Sequence, residues 1–277
     1  MTFDPDRLSR ALRALKAILP ADPRRAALPK LGKAEAGNLL QAIAFAIESL
    51  EGLSERLDPI RPPPFVLDPT DPKTTGMLLG KLLEELEPVG LDKLGMFYGS
   101  GVYAIYYLGD FPAYQAIRGT RCPIYVGKAD PSNPKAKTPK EQGPRVCGRL
   151  QEHAKSIRAA TNLSLADFAC RYLVIQSGWQ KAAEDYLIHT YQPVWNNEVG
   201  VCSGIGKHGD TARTERSDWD ILHPGRTWAN GQTSRSGQTP AKVSAAIETY
   251  FVKLCEGEPD KWPSLLNQEW VKARFKR

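Results

Sequence analysis

The chain of 277 residues has no apolar run long enough to cross a bilayer, and its start, MTFDPDRLSR, lacks the apolar centre of a secretory signal. Both absences lead to the expectation of a cytoplasmic protein with no membrane partner. Cysteine is sparse. Cys122, Cys147, Cys170, Cys202 and Cys255 are scattered, odd in number and never paired as CxxC. That pattern argues against a disulfide framework and against a zinc finger, and leaves reduced, mostly buried thiols. No internal repeat is visible.

What is present is an uneven positive charge. The net charge is +6 with a pI near 9.0, which alone points only mildly to a polyanion. Residues 118–158 hold ten Lys or Arg and three acids, so this segment accounts for the whole excess. A solvated charged face is one reading; a phosphate-binding surface is the other.

Residues 5–57 place apolar side chains at three- and four-residue spacing and read as helical. DPIRPPPFVLDPTDPKT (58–74) breaks any helix and reads as a linker or wrapping arm, and TGMLLGKLLEELEP continues as a short helix. GVYAIYYLG (101–109), PIYVGKA and FACRYLVIQ (168–176) read as strands. RVCGRLQEHAKSIRAA (145–160) and QKAAEDYLIHTYQP (180–193) read as helices, and DPSNPKAKTPKEQGP (130–144) as an exposed basic loop. The expected fold is α/β of the α+β kind: a small three-stranded mixed sheet flanked by helices, with helical N- and C-terminal additions. The expected division is a helical N-terminal region over 1–96 with its Pro-rich arm, a core over 97–203, and a loop-rich segment with C-terminal helices over 204–277.

Polar residues sit where the helical stripes turn inward. Val146, Leu150, Ala154 and Ile157 mark the apolar stripe of the first helix, and Arg149 and His153 lie on it one turn apart. Glu184 lies on the inward stripe of the second, beside Ala183, Leu187, Ile188 and Tyr191. Singly, each is ordinary: a snorkelling Arg, a satisfied His, an edge Glu, tyrosines packing in strands. Together they converge on one small sheet beside a basic loop.

That combination resembles the GIY-YIG nuclease superfamily. Its two motifs stand here as Gly101-Val102-Tyr103 and Tyr125-Val126-Gly127, with Val for Ile in both. The family's helix arginine matches Arg149, its metal-binding glutamate Glu184, and its downstream asparagine Asn196 in QPVWNN. Position 153 is His in a subset that includes several type II restriction endonucleases. YVGKA, RLQEHAKSI and ILHPGRTWA look like the branch that cuts the palindrome CCGCGG. The resemblance covers about residues 100–230.

It implies a site-specific endonuclease acting on double-stranded DNA as a homodimer or homotetramer, with one Mg²⁺ ion per active site held by Glu184. Arg149 would neutralise the scissile phosphate, Tyr125 would orient water or phosphate, and Asn196 would fix the helix end or the metal site. Tyr103 and His153 both stand as candidates for the general base, the phenol needing nearby positive charge to lower its pKa. Lys128, Lys135, Lys137, Lys140 and Arg145 are candidate phosphate or DNA contacts, as are Arg213, Arg216 and Arg226 in the later loop. A homing or repair nuclease, and a DNA-binding protein without catalysis, remain alternatives.

Overall fold

The structure, a computed structural model, describes residues 4–20, 22, 30–58, 60, 66–176, 178–196, 198–205, 215–233 and 237–275. The chain divides into two units, Met1–Val66 and Leu67–Arg277.

The first unit holds α1 (Pro5–Ile18) and α2 (Lys33–Leu57). Asp4 caps α1, its carboxylate accepting from the Asp6 and Arg7 amides, and Pro5 occupies the first turn, where a missing N–H is harmless. Neither helix buries a residue, so Leu39, Leu40, Ile43 and Ile47 of the α2 stripe stay exposed. Of the Pro-rich arm, residues 59 and 61–65 lie outside the described residues, and its end, from Pro72, is the first turn of a helix.

The second unit is built on a four-stranded sheet: β1 (Val89–Gly90), β2 (Gly101–Tyr107), β3 (Tyr125–Ala129) and β4 (Phe168–Val174), in the order β1-β4-β2-β3. This corrects the expectation of three strands in a mixed sheet. Every pairing is antiparallel. The extra strand, β1, is two residues long and pairs Val89 with Cys170; a strand that short carries no period to be read. β2 lies between β3 and β4, and all seven of its residues are buried.

Helices cover the sheet. α3 (Pro72–Glu85) packs on α6 (Gln180–Tyr191) and on β4, so it belongs to the sheet's unit although the sequence groups it with the N-terminal region. The α3–α6 contact depends on small residues: a Cβ at Gly76 would lie 2.4 Å from the Ala182 carbonyl oxygen. α5 (Arg145–Ala159) packs on β2 and β3. Its Val146 amide, one of the first-turn donors with no partner inside the helix, donates to the Gly99 carbonyl at 3.0 Å.

The basic loop 130–144 contains one helical turn, α4 (Pro139–Gln142), and is anchored at its base. The buried Gln142 side chain accepts from the Ser100 amide at 2.8 Å and donates to the Ile175 carbonyl at 2.9 Å. The later segment forms α7 (Asp218–Leu222) and a 3-10 helix, Thr227–Gly231. α8 (Pro240–Gly257), α9 (Trp262–Leu265) and α10 (Gln268–Arg274) follow, α8 packing on α7.

Gly76→Ala drives a methyl group into main chain that cannot yield without moving α6. It is expected to cost about 1–3 kcal/mol, the range for overpacking a tight contact, and to lower the melting temperature by several degrees. An unchanged melting curve would show that α3 does not rest on α6 in solution.

Candidate active site

The two motifs are neighbouring strands. Tyr103 on β2 faces Gly127 on β3 in register, and Tyr125 faces Ile105. Positions 125 and 127 are two apart, so both tyrosines project from the same side of the sheet. Their ring centroids are 6.3 Å apart. Both motif glycines are required by close approach. A Cβ on Gly127 would sit 2.6 Å from the Tyr103 hydroxyl oxygen, and one on Gly101 would sit 1.9 Å from the Leu173 carbonyl oxygen.

α5 brings its two polar residues to this face. His153 is 1% exposed and its Nε2 lies 2.9 Å from the Tyr103 hydroxyl. Its ring lies 4.8 Å from that of Tyr125. Arg149, one turn earlier, is half-buried and pairs with Glu152 at 2.6 Å. Its guanidinium is near enough to both tyrosines to favour their anions. Glu184 on α6 is 15% exposed at its side chain, with the Lys181 ammonium 3.8 Å away.

Burial dominates the electrostatics. It holds the Tyr103 hydroxyl well above the ordinary phenol pKa, Tyr125 adding to this and Arg149 opposing it. Without DNA or metal the net direction is therefore upward, burial outweighing the lowering that Arg149 supplies. His153 contributes no positive charge, because burial and then the neighbouring Arg149 pull it down to about 3. A neutral His153 accepts the Tyr103 proton at Nε2 and carries its own hydrogen on Nδ1. Among the described residues Nδ1 has no hydrogen-bond partner; the Ile205 main chain lies near it and favours the proton. Burial also raises the Glu184 pKa, while Lys181 and Lys128 oppose that shift.

Asn196 is buried and does something the sequence did not suggest. Its side chain accepts from the Val126 amide at 2.9 Å and donates to the Val126 carbonyl at 2.8 Å. One carboxamide thus pairs the free edge of β3 as a further strand would, and holds the residue next to Tyr125.

The expected DNA contacts separate into groups. Lys135, Lys137, Lys140 and Arg145 are exposed around the basic loop, Arg145 donating to the Asp130 carbonyl at 2.9 Å. Lys128 pairs with Asp130 beside the site. Arg216 is half-buried and donates to the Ala229 carbonyl at 3.1 Å. Arg213 lies outside the described residues. Arg226 corrects its expectation as a surface contact: it is 5% exposed, pairs with the buried Asp220 at 2.7 Å and donates to the Gly204 carbonyl at 2.9 Å. A buried arginine already committed to a buried carboxylate is not presented to a phosphate.

A second His–Tyr pair was not foreseen. His223 Nε2 lies 2.5 Å from the Tyr114 hydroxyl, Nδ1 lies 2.9 Å from Asn162 Oδ1, and Trp195 Nε1 donates to the same hydroxyl at 3.0 Å. All three side chains at its centre are buried, and each hydrogen bond is satisfied within the network, so it ties the later segment to the core.

No group of three or more His, Cys, Asp and Glu comes together to hold a metal ion among the described residues. Glu184 offers one hard oxygen ligand group at a partly open position. That fits a small cation such as Mg²⁺, which keeps several waters and takes its remaining ligands from substrate phosphate, and does not fit an all-protein cage.

A tyrosine from each of two adjacent strands, gathered with a helix arginine and histidine and a glutamate from the next long helix, defines a nuclease of the GIY-YIG class. Residues 95–251 match the Eco29kI GIY-YIG domain. The match spans more than half of the chain, and the chain belongs to this family of type II restriction endonucleases, enzymes whose substrate is DNA. No curated protein matches the chain. No helix among the described residues is long and apolar enough to cross a membrane.

Both buried histidines bind protons less readily when folded, at about 3, than the usual 6.5. Their contribution to stability is therefore complete above pH about 6.5 and is lost as the pH falls toward about 3. The urea midpoint is expected to fall between pH 7 and pH 4, with a shallower slope in His223→Gln. A flat midpoint across that interval would show that both rings take up protons without unfolding.

Proposed function

We propose that the chain is a type II restriction endonuclease that cuts both strands of DNA by Mg²⁺-assisted phosphodiester hydrolysis. Its target is a short GC-rich palindrome such as CCGCGG, read by a homodimer or homotetramer with one active site per strand. The observation that carries this reading is the Tyr103–His153 hydrogen bond at 2.9 Å within a cluster that also holds Tyr125, Arg149 and Glu184. A homing or repair nuclease would share this cluster, and the match of residues 95–251 to a restriction-enzyme domain favours the restriction reading over both; the cluster itself speaks against a non-catalytic protein.

His153 is enclosed and meets the site through Tyr103, so the two work in series. Tyr103 accepts a proton from the attacking water as it passes its own to His153 Nε2, and the hydroxide adds to phosphorus as the bond to the 3′-oxygen breaks. The 3′-oxygen leaves as the alkoxide and takes a proton from solvent, and the proton on His153 returns through Tyr103 to solvent. Burial opposes both ionisations in the free protein. Arg149 offsets part of that cost beside Tyr103 and meets the phosphate, where charge grows in the transition state. Tyr125 orients the water, and Asn196 keeps Tyr125 in place through β3. Glu184 would hold the ion, which supplies charge neutralisation at the scissile phosphate and the leaving oxygen. Lys128 stands next to this position and contacts the flanking phosphate, exchanging Asp130 for it. The exposed cations of the basic loop extend the contact along the backbone.

Incubation with plasmid DNA and Mg²⁺ is expected to give discrete fragments. Random nicking would move the reading to a repair-type nuclease, and an intact plasmid with a shifted gel band would end both. Glu184→Ala is expected to lower cleavage by about 10³-fold or more, as loss of several kcal/mol of transition-state stabilisation requires, with DNA affinity retained. Normal cutting by that variant would remove Glu184 from the metal site.

A further inference from the structure

Trp228 is the exposed member of the six tryptophans, at 44%, while the others are buried or half-buried. It does not stand on a loose loop. The Pro224 carbonyl accepts from the Thr161 amide at 2.8 Å, just past the end of α5. Gly225, at φ +143°, lies so close to that end that a Cβ would fall 1.8 Å from the Ala159 carbonyl oxygen. Below the indole, the Arg226 guanidinium sits 4.8 Å from the ring centroid and is itself clamped by Asp220. The ring is thus fixed in place against a buried cation.

Trp228 and Thr227 form one wall of a groove of about 710 Å³, and Glu152, Lys155, Ser156 and Ala159 of α5 form the other. One lining residue touches the site: Glu152 is the ion-pair partner of Arg149. On the α5 wall Lys155 is the exposed cation, next to the single acid Glu152. Such a groove suits a strand that is anionic along its backbone and flat and aromatic in its bases. A nucleobase stacks on an indole face, and apolar wedges beside a duplex unstack base steps.

We propose that the groove between α5 and the Thr227–Gly231 helix receives the nucleotide flanking the scissile phosphate, with Trp228 stacking on its base or sugar. Trp228 is then a positioning and specificity residue. It fixes where the strand leaves the catalytic tyrosines, with Lys155 meeting the adjacent phosphate. The inference rests on the chain being a DNA-cutting enzyme, and a wild-type control separates the two.

The test uses the full chain and a duplex carrying the cut site mapped from the wild-type enzyme's own plasmid fragments. A fluorescent base analogue that keeps the native pairing at each position (6-methylisoxanthopterin for G, pyrrolocytosine for C) is stepped through the positions on either side of the cut, with Ca²⁺ in place of Mg²⁺. A fluorescence change is expected at one position beside the cut, and it should be absent in Trp228→Leu, which keeps apolar bulk without a ring. Affinity should fall about tenfold in Trp228→Leu, as loss of one stacked base predicts, and stay near wild type in Trp228→Phe. Matching melting curves confirm that each variant folds. A wild-type enzyme that cuts, with equal affinity and an equal base-analogue signal in Trp228→Leu, would overturn the inference while leaving the nuclease reading intact. A change in oligomeric mass without DNA in Trp228→Leu would also overturn it, assigning the indole to a second copy of the chain. A wild-type enzyme that neither binds nor cuts DNA would defeat the nuclease reading, and the inference with it.

Discussion

A polar group on a strand buried along its whole length has to find a partner inside the protein. β2 is that strand, and the Tyr103 hydroxyl is that group. An unpaired buried hydroxyl costs about 1–3 kcal/mol, so the surroundings of Tyr103 are constrained in turn. Gly127 leaves room for the hydroxyl oxygen, α5 delivers His153 to it, and the burial that accompanies this keeps His153 neutral and able to accept. Asn196 then secures β3, and so Tyr125, without needing a fifth strand. Most of the site follows from placing one phenol in the centre of a small sheet.

The cations around the site fall into two energetic classes. Arg149, Lys128 and Lys181 are each paired with an acid close to them in sequence, at partly exposed positions. Such pairs contribute about 0–1 kcal/mol, so phosphate or a metal ion can displace them at small cost. The Arg226–Asp220 pair is enclosed, and removing either partner leaves a buried charge that costs about 3–5 kcal/mol. That difference separates an arginine available to DNA from one that fixes the wall of a groove. Net charge and clustering show where phosphates would be attracted, but the strength of each existing pair decides which cations are free to respond.

The two His–Tyr pairs show how similar contacts serve different ends. Tyr114–His223 is closed on all sides by Asn162, Trp195 and a cluster of rings, and every hydrogen bond in it is used. Tyr103–His153 lies beside Arg149, and the buried Nδ1 of His153 has no hydrogen-bond partner among the described residues, with the Ile205 main chain near the ring. A saturated network stabilises, whereas the Nδ1–H of His153 leaves the second network short of one partner.

By itself the sequence determined the elements and the roster of the site. Helical spacing put Arg149 and His153 one turn apart on α5 and marked Glu184 as an inward carboxylate, and the two tripeptides marked the strands that carry the tyrosines. These are local properties, set by backbone period and side-chain type. The sequence did not reveal the two-residue β1, the Asn196 pairing of the β3 edge, the Gln142 anchor of the basic loop or the burial of Arg226. Only the tertiary structure decided those, because each depends on partners 6 to 81 residues away or on how much water the packing removes. The direction of the Tyr103 pKa is the sharpest instance: residue types predicted a phenol eased by positive charge, and desolvation by a fully enclosed strand outweighed them.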